Sequence, residues 1–179
     1  VDTHTSNGAD YQYTMTLIHT QTDKLGGALG DLLRDAMLPA IYTAMAQRGW
    51  PTCPYVNPVK VTPDDGIEDF LEVPRFSTGY AALHHTIGFM PETHMLKPFA
   101  DRYAAMRALV EVVLASVNIM QVRITRSRMA GDPPEVMIAP QLAHLGLMDF
   151  YRAEEAIAEG QRAAEKTLPF LQQLGLGAA

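Results

Sequence analysis

Cys53 is the only cysteine in the chain, so an internal disulfide and a thiolate zinc cluster are both excluded. Chemistry must come from six histidines, the carboxylates and the hydroxyls. A hydrolytic zinc site takes three protein ligands and leaves a position for water. No His-Glu-x-x-His is present to supply two of them from one helix face, and no Gly-x-Ser-x-Gly to present a serine nucleophile on a strained turn. Asp2-x-His4 near the N-terminus reads, on its own, as part of a solvated loop. Glu92 and His94 lie two apart in a strand candidate, so they share one face and can form a local side-chain pair. The adjacent His84 and His85 read as structural or surface residues.

The elements that must position these groups follow from periodicity. Tyr11 to Thr20 is rich in β-branched and aromatic residues at a period near two and predicts a strand. Leu29, Leu32, Leu33, Met37, Ile41 and Met45 have helical spacing; Pro39 should kink or divide that helix and Gly49 should stop it. Residues 50 to 67 are rich in Pro, Asp and Gly, with a short strand candidate at Tyr55 to Val61. Phe70 to Val73 and Thr86 to Thr93 are further strand candidates, with a short helical segment at Tyr80 to His85 between them. Pro98 opens a long periodic run carrying Phe99, Tyr103, Met106, Val110, Val113, Leu114, Val117, Met120 and Ile124 on one stripe. Gly131-Asp132-Pro133-Pro134 ends it. Glu135 to Ala139 predicts a strand, and Asp149 an N-cap for a helix through Glu159 that Gly160 bends or ends.

A chain of 179 residues with 47% hydrophobic and 19% charged residues is long and apolar enough for one core, or one core and an appendage. The net charge of −6 is spread along the sequence without a basic stripe, which argues against a nucleic-acid partner. The most apolar stretch, Leu109 to Met120, is interrupted by Glu111 and Asn118 and falls short of the ~20 residues of a membrane span. The polar start carries no signal-peptide pattern and reads as the beginning of a piece of a longer chain.

Two blocks carry a family resemblance. DTHTSNGADYQYTMTLI (2–18) is similar to the segment that delivers the third zinc ligand in carboxypeptidase A-like metallopeptidases. PRFSTGYAALHHTIGFMPETHMLKPF (74–99) is similar to the later block that holds their catalytic glutamate. With the helix between them the resemblance covers about residues 1–118. It implies a partial zinc-carboxypeptidase-like α/β sheet with flanking helices, in which His4 is a metal ligand and Glu92 the general base. Arg75 and Tyr80, by their place in the block before Glu92, are the implied contacts to the substrate carboxylate and the scissile bond. A planar guanidinium fork suits a carboxylate. The metal would lower the pKa of its water and the glutamate would take the proton. The family draws two more ligands from an upstream His-x-x-Glu. Three residues after each of the six histidines come Asn7, Thr22, Ile87, Gly88, Lys97 and Leu147, none of them Glu. Zinc and peptide hydrolysis are therefore expected only if those ligands come from another segment or chain. Otherwise the chain is expected to be a non-catalytic scaffold or interaction module.

From about Ile119 the sequence instead resembles the C-terminal end of patatin-like hydrolases, through IMQVRITRSRMAGDPPEVMIAPQLAHLGLMDFYRAEEAIAEGQRAAEKTLPFL. This implies a helix-strand-helix appendage at 119–179. That family's acyl-hydrolase chemistry lacks its serine motif here, and the only Asp-Gly, Asp65-Gly66, is followed by Ile67. The join falls within the long run after Pro98, which allows one helix to cross it. A hydrophobic face left uncovered by such a fusion would favour self-association.

Overall fold

The computed structural model describes residues 1–6, 8–146 and 149–175, and divides into two compact units, Val1–Ser116 and Val117–Ala179. Helix and strand are mixed, so the chain is α/β in the general sense. The first unit holds a four-stranded sheet in the order β1 (His4–Thr5), β6 (Phe89–Thr93), β2 (Met15–His19), β3 (Cys53–Pro54). β6 runs parallel to β1 and antiparallel to β2, and β3 lies parallel to β2 on the far edge. Two short strands, β4 (Asn57–Pro58) and β5 (Ile67–Glu68), form a separate antiparallel pair.

Alternation sorts the sheet into two chemical faces. Met15, Leu17 and Phe89 face one way into the core, packed with Leu33, Leu38, Ile41, Met45, Leu109 and Val112. Burial of each such side chain stabilises the fold by roughly 1.5–3 kcal/mol. Thr16, Ile18, Met90 and Glu92 alternate with them and belong to the opposite face, where the buried carboxylate lies. The carbonyls of Phe89 and Thr93 accept N–H groups from Asp2 and Ser6. Residues 89, 91 and 93 therefore turn their backbone groups toward β1, and Pro91, which has no N–H to give, offers no donor on that side.

The core face is covered by a short α1 (Thr22–Leu25) and, past the non-helical Gly26, by a continuous helix of α2 (Gly27–Leu32), a π-helical turn at Leu33–Met37 and α3 (Leu38–Gln47). Pro39 does not divide it. Its ring and missing N–H would disturb an ordinary i→i−4 ladder at the Asp35 carbonyl, and the ladder shifts by one residue just before it, with the Leu38 N–H on the Leu33 carbonyl. Gly49, at φ 80°, follows as the stop.

The strand expected at Tyr11–Thr20 is confined to its second half, and that expected at Tyr55–Val61 to Asn57–Pro58. The strand expected at Phe70–Val73 does not form. Glu72 is instead turned inward, accepting the Gln21 N–H at 2.9 Å and pairing with Lys24 at 3.3 Å. The helix expected around Tyr80 is α4 (Ser77–Leu83), which starts three residues earlier. Gly79 lets α4 lie on the backbone of Val73 and Pro74, where a Cβ would collide. The buried Thr20 hydroxyl ties α4 to the sheet, donating to the Thr78 carbonyl at 3.1 Å and accepting the Gly88 N–H at 2.8 Å.

α5 (Phe99–Gly131) begins in the first unit and continues into the second. By length and composition it is apolar enough to cross a membrane, with an 18-residue window of mean hydropathy 1.5. Ala105, Ala108, Leu109 and Val112 lie in the protein core, but only 17% of that window is buried, so core packing accounts for a small part of its apolarity. In the second unit, the strand expected at Glu135–Ala139 is absent; flanked by Pro133, Pro134 and Pro140, that segment has no neighbouring strand. Asp149 stands at the N-cap position of the 3-10 turn Phe150–Arg152 that leads into α6, but its carboxylate makes no capping bond and accepts the Gly146 N–H at 3.0 Å. α6 (Ala153–Gln173) runs through both Gly160 and Pro169. Among the described residues of this unit none is buried.

Candidate functional site

His4, at the start of β1, and Glu92, on β6, are partners in register across the parallel pair, and on the other side of β6 Glu92 faces Thr16. His4 Nδ1 lies 3.9 Å from Glu92 Oε1. Its Nε2 is 2.9 Å from Asp2 Oδ2, which fixes the ring plane. The Asp2 carboxyl is held below the usual carboxylate range, first by the Ser77 hydroxyl on α4, against desolvation, with His4 adding to the lowering.

Glu92 is 8% exposed, and its Oε2 has no hydrogen-bond partner among the described residues. Burial pushes its pKa up; His4 opposes that rise and Asp2 adds to it. Its side chain opens on a cavity of about 310 Å³. Thr5 and Ser6 supply the other polar lining; Ile18 and Met90 come from the sheet, and Tyr55, Phe70 and Phe76 from the loops beside it. The three aromatic rings pack edge to face in sequence, Tyr55 to Phe70 at 5.1 Å and Phe70 to Phe76 at 5.0 Å between centroids.

Beside the cavity, Ser6 Oγ and His94 Nδ1 are 2.6 Å apart, and the Tyr11 ring stacks on the imidazole at 3.9 Å. His94 is fully buried, and its Nε2 has no partner among the described residues. Desolvation, helped by the nearby Lys97 charge, lowers its pKa to about 4, so the ring is neutral at physiological pH. The contact foreseen between Glu92 and His94 gives way to pairings across the sheet, Glu92 with His4 and His94 with Ser6.

Arg75 and Tyr80 lie elsewhere. The exposed Arg75 guanidinium sits 5.1 Å over the Phe76 ring, and Tyr80, 56% exposed, packs against His84 at 4.9 Å. Neither lines the cavity. Sequence reasoning missed Ser6, Tyr11 and the aromatic wall. Ser6 carried a usable signal, two residues after His4 and so on the same strand face. The aromatic residues carried none, since they converge from loops.

Among the described residues no three His, Cys, Asp or Glu side chains converge in a way that could hold a metal. His4 is one imidazole donor, already oriented by Asp2, and these residues do not enclose a zinc ion unaided. No protein-family model matches the chain, and no solved structure matches it.

Proposed function

We propose that this chain carries part of a zinc carboxypeptidase-type hydrolytic site, contributing His4 as one metal ligand and Glu92 as the general base. The observation that carries the reading is the cross-strand pair: a carboxylate-oriented imidazole in register with a buried glutamate at the edge of a cavity. A base works best when its pKa lies near the working pH, and burial moves Glu92 in that direction. In hydrolysis Glu92 takes a proton from the attacking water and returns it to the leaving amine as the C–N bond breaks. The aromatic and aliphatic wall suits an apolar side chain of a peptide substrate, whose terminal carboxylate would lie outside this cavity. Arg75 and Tyr80 would have to move to meet the peptide, because neither borders the cavity. The remaining metal donors come from outside the 179 residues, so the chain alone does not turn over peptides.

The test is to express the chain together with whatever its coding sequence places before Val1. A preceding His-x-x-Glu, stoichiometric zinc and C-terminal trimming lost in Glu92→Gln support the reading. Trimming that survives Glu92→Gln contradicts it.

A second reading, a non-catalytic interaction module, is favoured by the unburied second unit. Ile119, Ile124, Ile157 and Phe170 are all exposed there. Exposed Arg123, Arg126 and Arg128 on α5 complement exposed Glu154 and Glu165 on α6, which fits association of two copies. Sedimentation showing a concentration-independent monomer contradicts this reading.

A further inference from the structure

The cavity beside Glu92 has a charge character that hydrolysis does not use. Its lining contains one carboxylate and no basic side chain. That residue, Glu92, is 8% exposed, its side chain 11%, and one carboxylate oxygen has no partner among the described residues, a costly state for a charged acceptor. The lining also includes the mutually packed rings of Tyr55, Phe70 and Phe76. Aromatic faces attract cations through their quadrupole, and the wall already holds one, the Arg75 guanidinium over Phe76. Ile18 and Met90 complete an apolar floor. An anion would meet Glu92 with no cation in the lining to offset it, and an apolar neutral ligand would leave Glu92 Oε2 without a partner.

We infer that this cavity binds a primary ammonium group carried on an aromatic or branched aliphatic stem, with the ammonium donating to Glu92 and the stem lying against Ile18, Met90 and the aromatic wall. The site requires neither metal nor hydrolysis, and so stands apart from the peptidase reading. It is a recognition site for an amine, such as a small arylalkylamine or the amino terminus of a short peptide.

The experiment titrates the full chain, in buffer containing a chelator, with 2-phenylethylamine, 2-phenylethanol and 3-phenylpropionate. Binding is read by calorimetry and by NMR shifts of residues lining the cavity. The amine should bind at least about tenfold more tightly than the alcohol, as expected for a charge-assisted hydrogen bond, and the carboxylate more weakly still. Glu92→Gln should bring the amine to the level of the alcohol. Equal binding of all three ligands, no binding of any, or an amine preference that persists in Glu92→Gln overturns the inference. If the variant fails to fold, the ligand series on the native chain decides alone. Chelation keeps this outcome separate from the fate of the hydrolytic reading.

Discussion

Stability should fall steeply as the solution is acidified, and His94 should be the cause. Its imidazole is fully buried, with Nδ1 on Ser6 and Tyr11 against its face, and desolvation lowers its pKa from an ordinary 6.5 to about 4. Between those values the unfolded chain binds a proton that the folded chain does not, so stability rises with pH across the window. The full contribution is present above pH 6.5, is lost progressively below it, and levels off near pH 4. A difference of ~2.5 units at 1.36 kcal/mol each corresponds to about 3 kcal/mol, a large share of the 5–15 kcal/mol typical of a domain. Glu92 acts in the opposite sense: its raised pKa makes the folded chain hold a proton longer, so stability falls as pH climbs from the ordinary carboxylate value to the folded one. The His94 contribution is therefore isolated by comparison with His94→Gln, which keeps a neutral polar group near Ser6. Urea denaturation of both chains at half-unit steps from pH 7.5 to 4 should show the native curve losing about 3 kcal/mol relative to the variant. Parallel curves would refute the burial argument.

Three further outcomes follow from the same geometry. Glu92→Gln removes a buried carboxylate that has an unpartnered oxygen, so its urea midpoint at pH 7.5 should lie above that of the native chain, as expected where a site residue is held at the expense of stability. Gly79→Ala places a methyl group against the Val73 backbone and should cost roughly 1–3 kcal/mol in the same assay. Ending the chain after Gly131 removes residues none of which is buried among those described, so the main unfolding transition should keep its midpoint within about 0.5 kcal/mol.

What the sequence revealed depended on how local the determining physics was. β2, β6 and α3 announce themselves because the apolar period and the packed face coincide. α5 is legible as a helix but not in its orientation: its core face is Ala105, Ala108, Leu109 and Val112, while Phe99, Tyr103, Met120 and Ile124 of the expected stripe are exposed. Phe70–Val73 has strand-like composition, but Glu72 gains a buried hydrogen bond from Gln21 and an ion pair with Lys24, and those tertiary partners override propensity. Glu135–Ala139 fails for the complementary reason, since a strand needs a neighbour and none is near. Gly160 and Pro169 are tolerated in α6 because exposed backbone groups can be solvated where a buried helix would be broken. At the candidate site, Asp2-x-His4 and Glu92 could be noticed as residues, while their juxtaposition required the register of β1 on β6. The Ser6–His94 contact, between residues 88 apart in sequence, and the aromatic wall drawn from loops left no trace in spacing.

The proposed division of labour gives this chain one imidazole and one base and leaves the other metal donors to another segment or chain. Zinc content and release of the terminal residue from a blocked dipeptide, measured on the purified 179-residue monomer after dialysis, test it most directly. Well under one zinc per chain and no turnover are predicted. One tightly held zinc accompanied by hydrolysis that a chelator abolishes would contradict it.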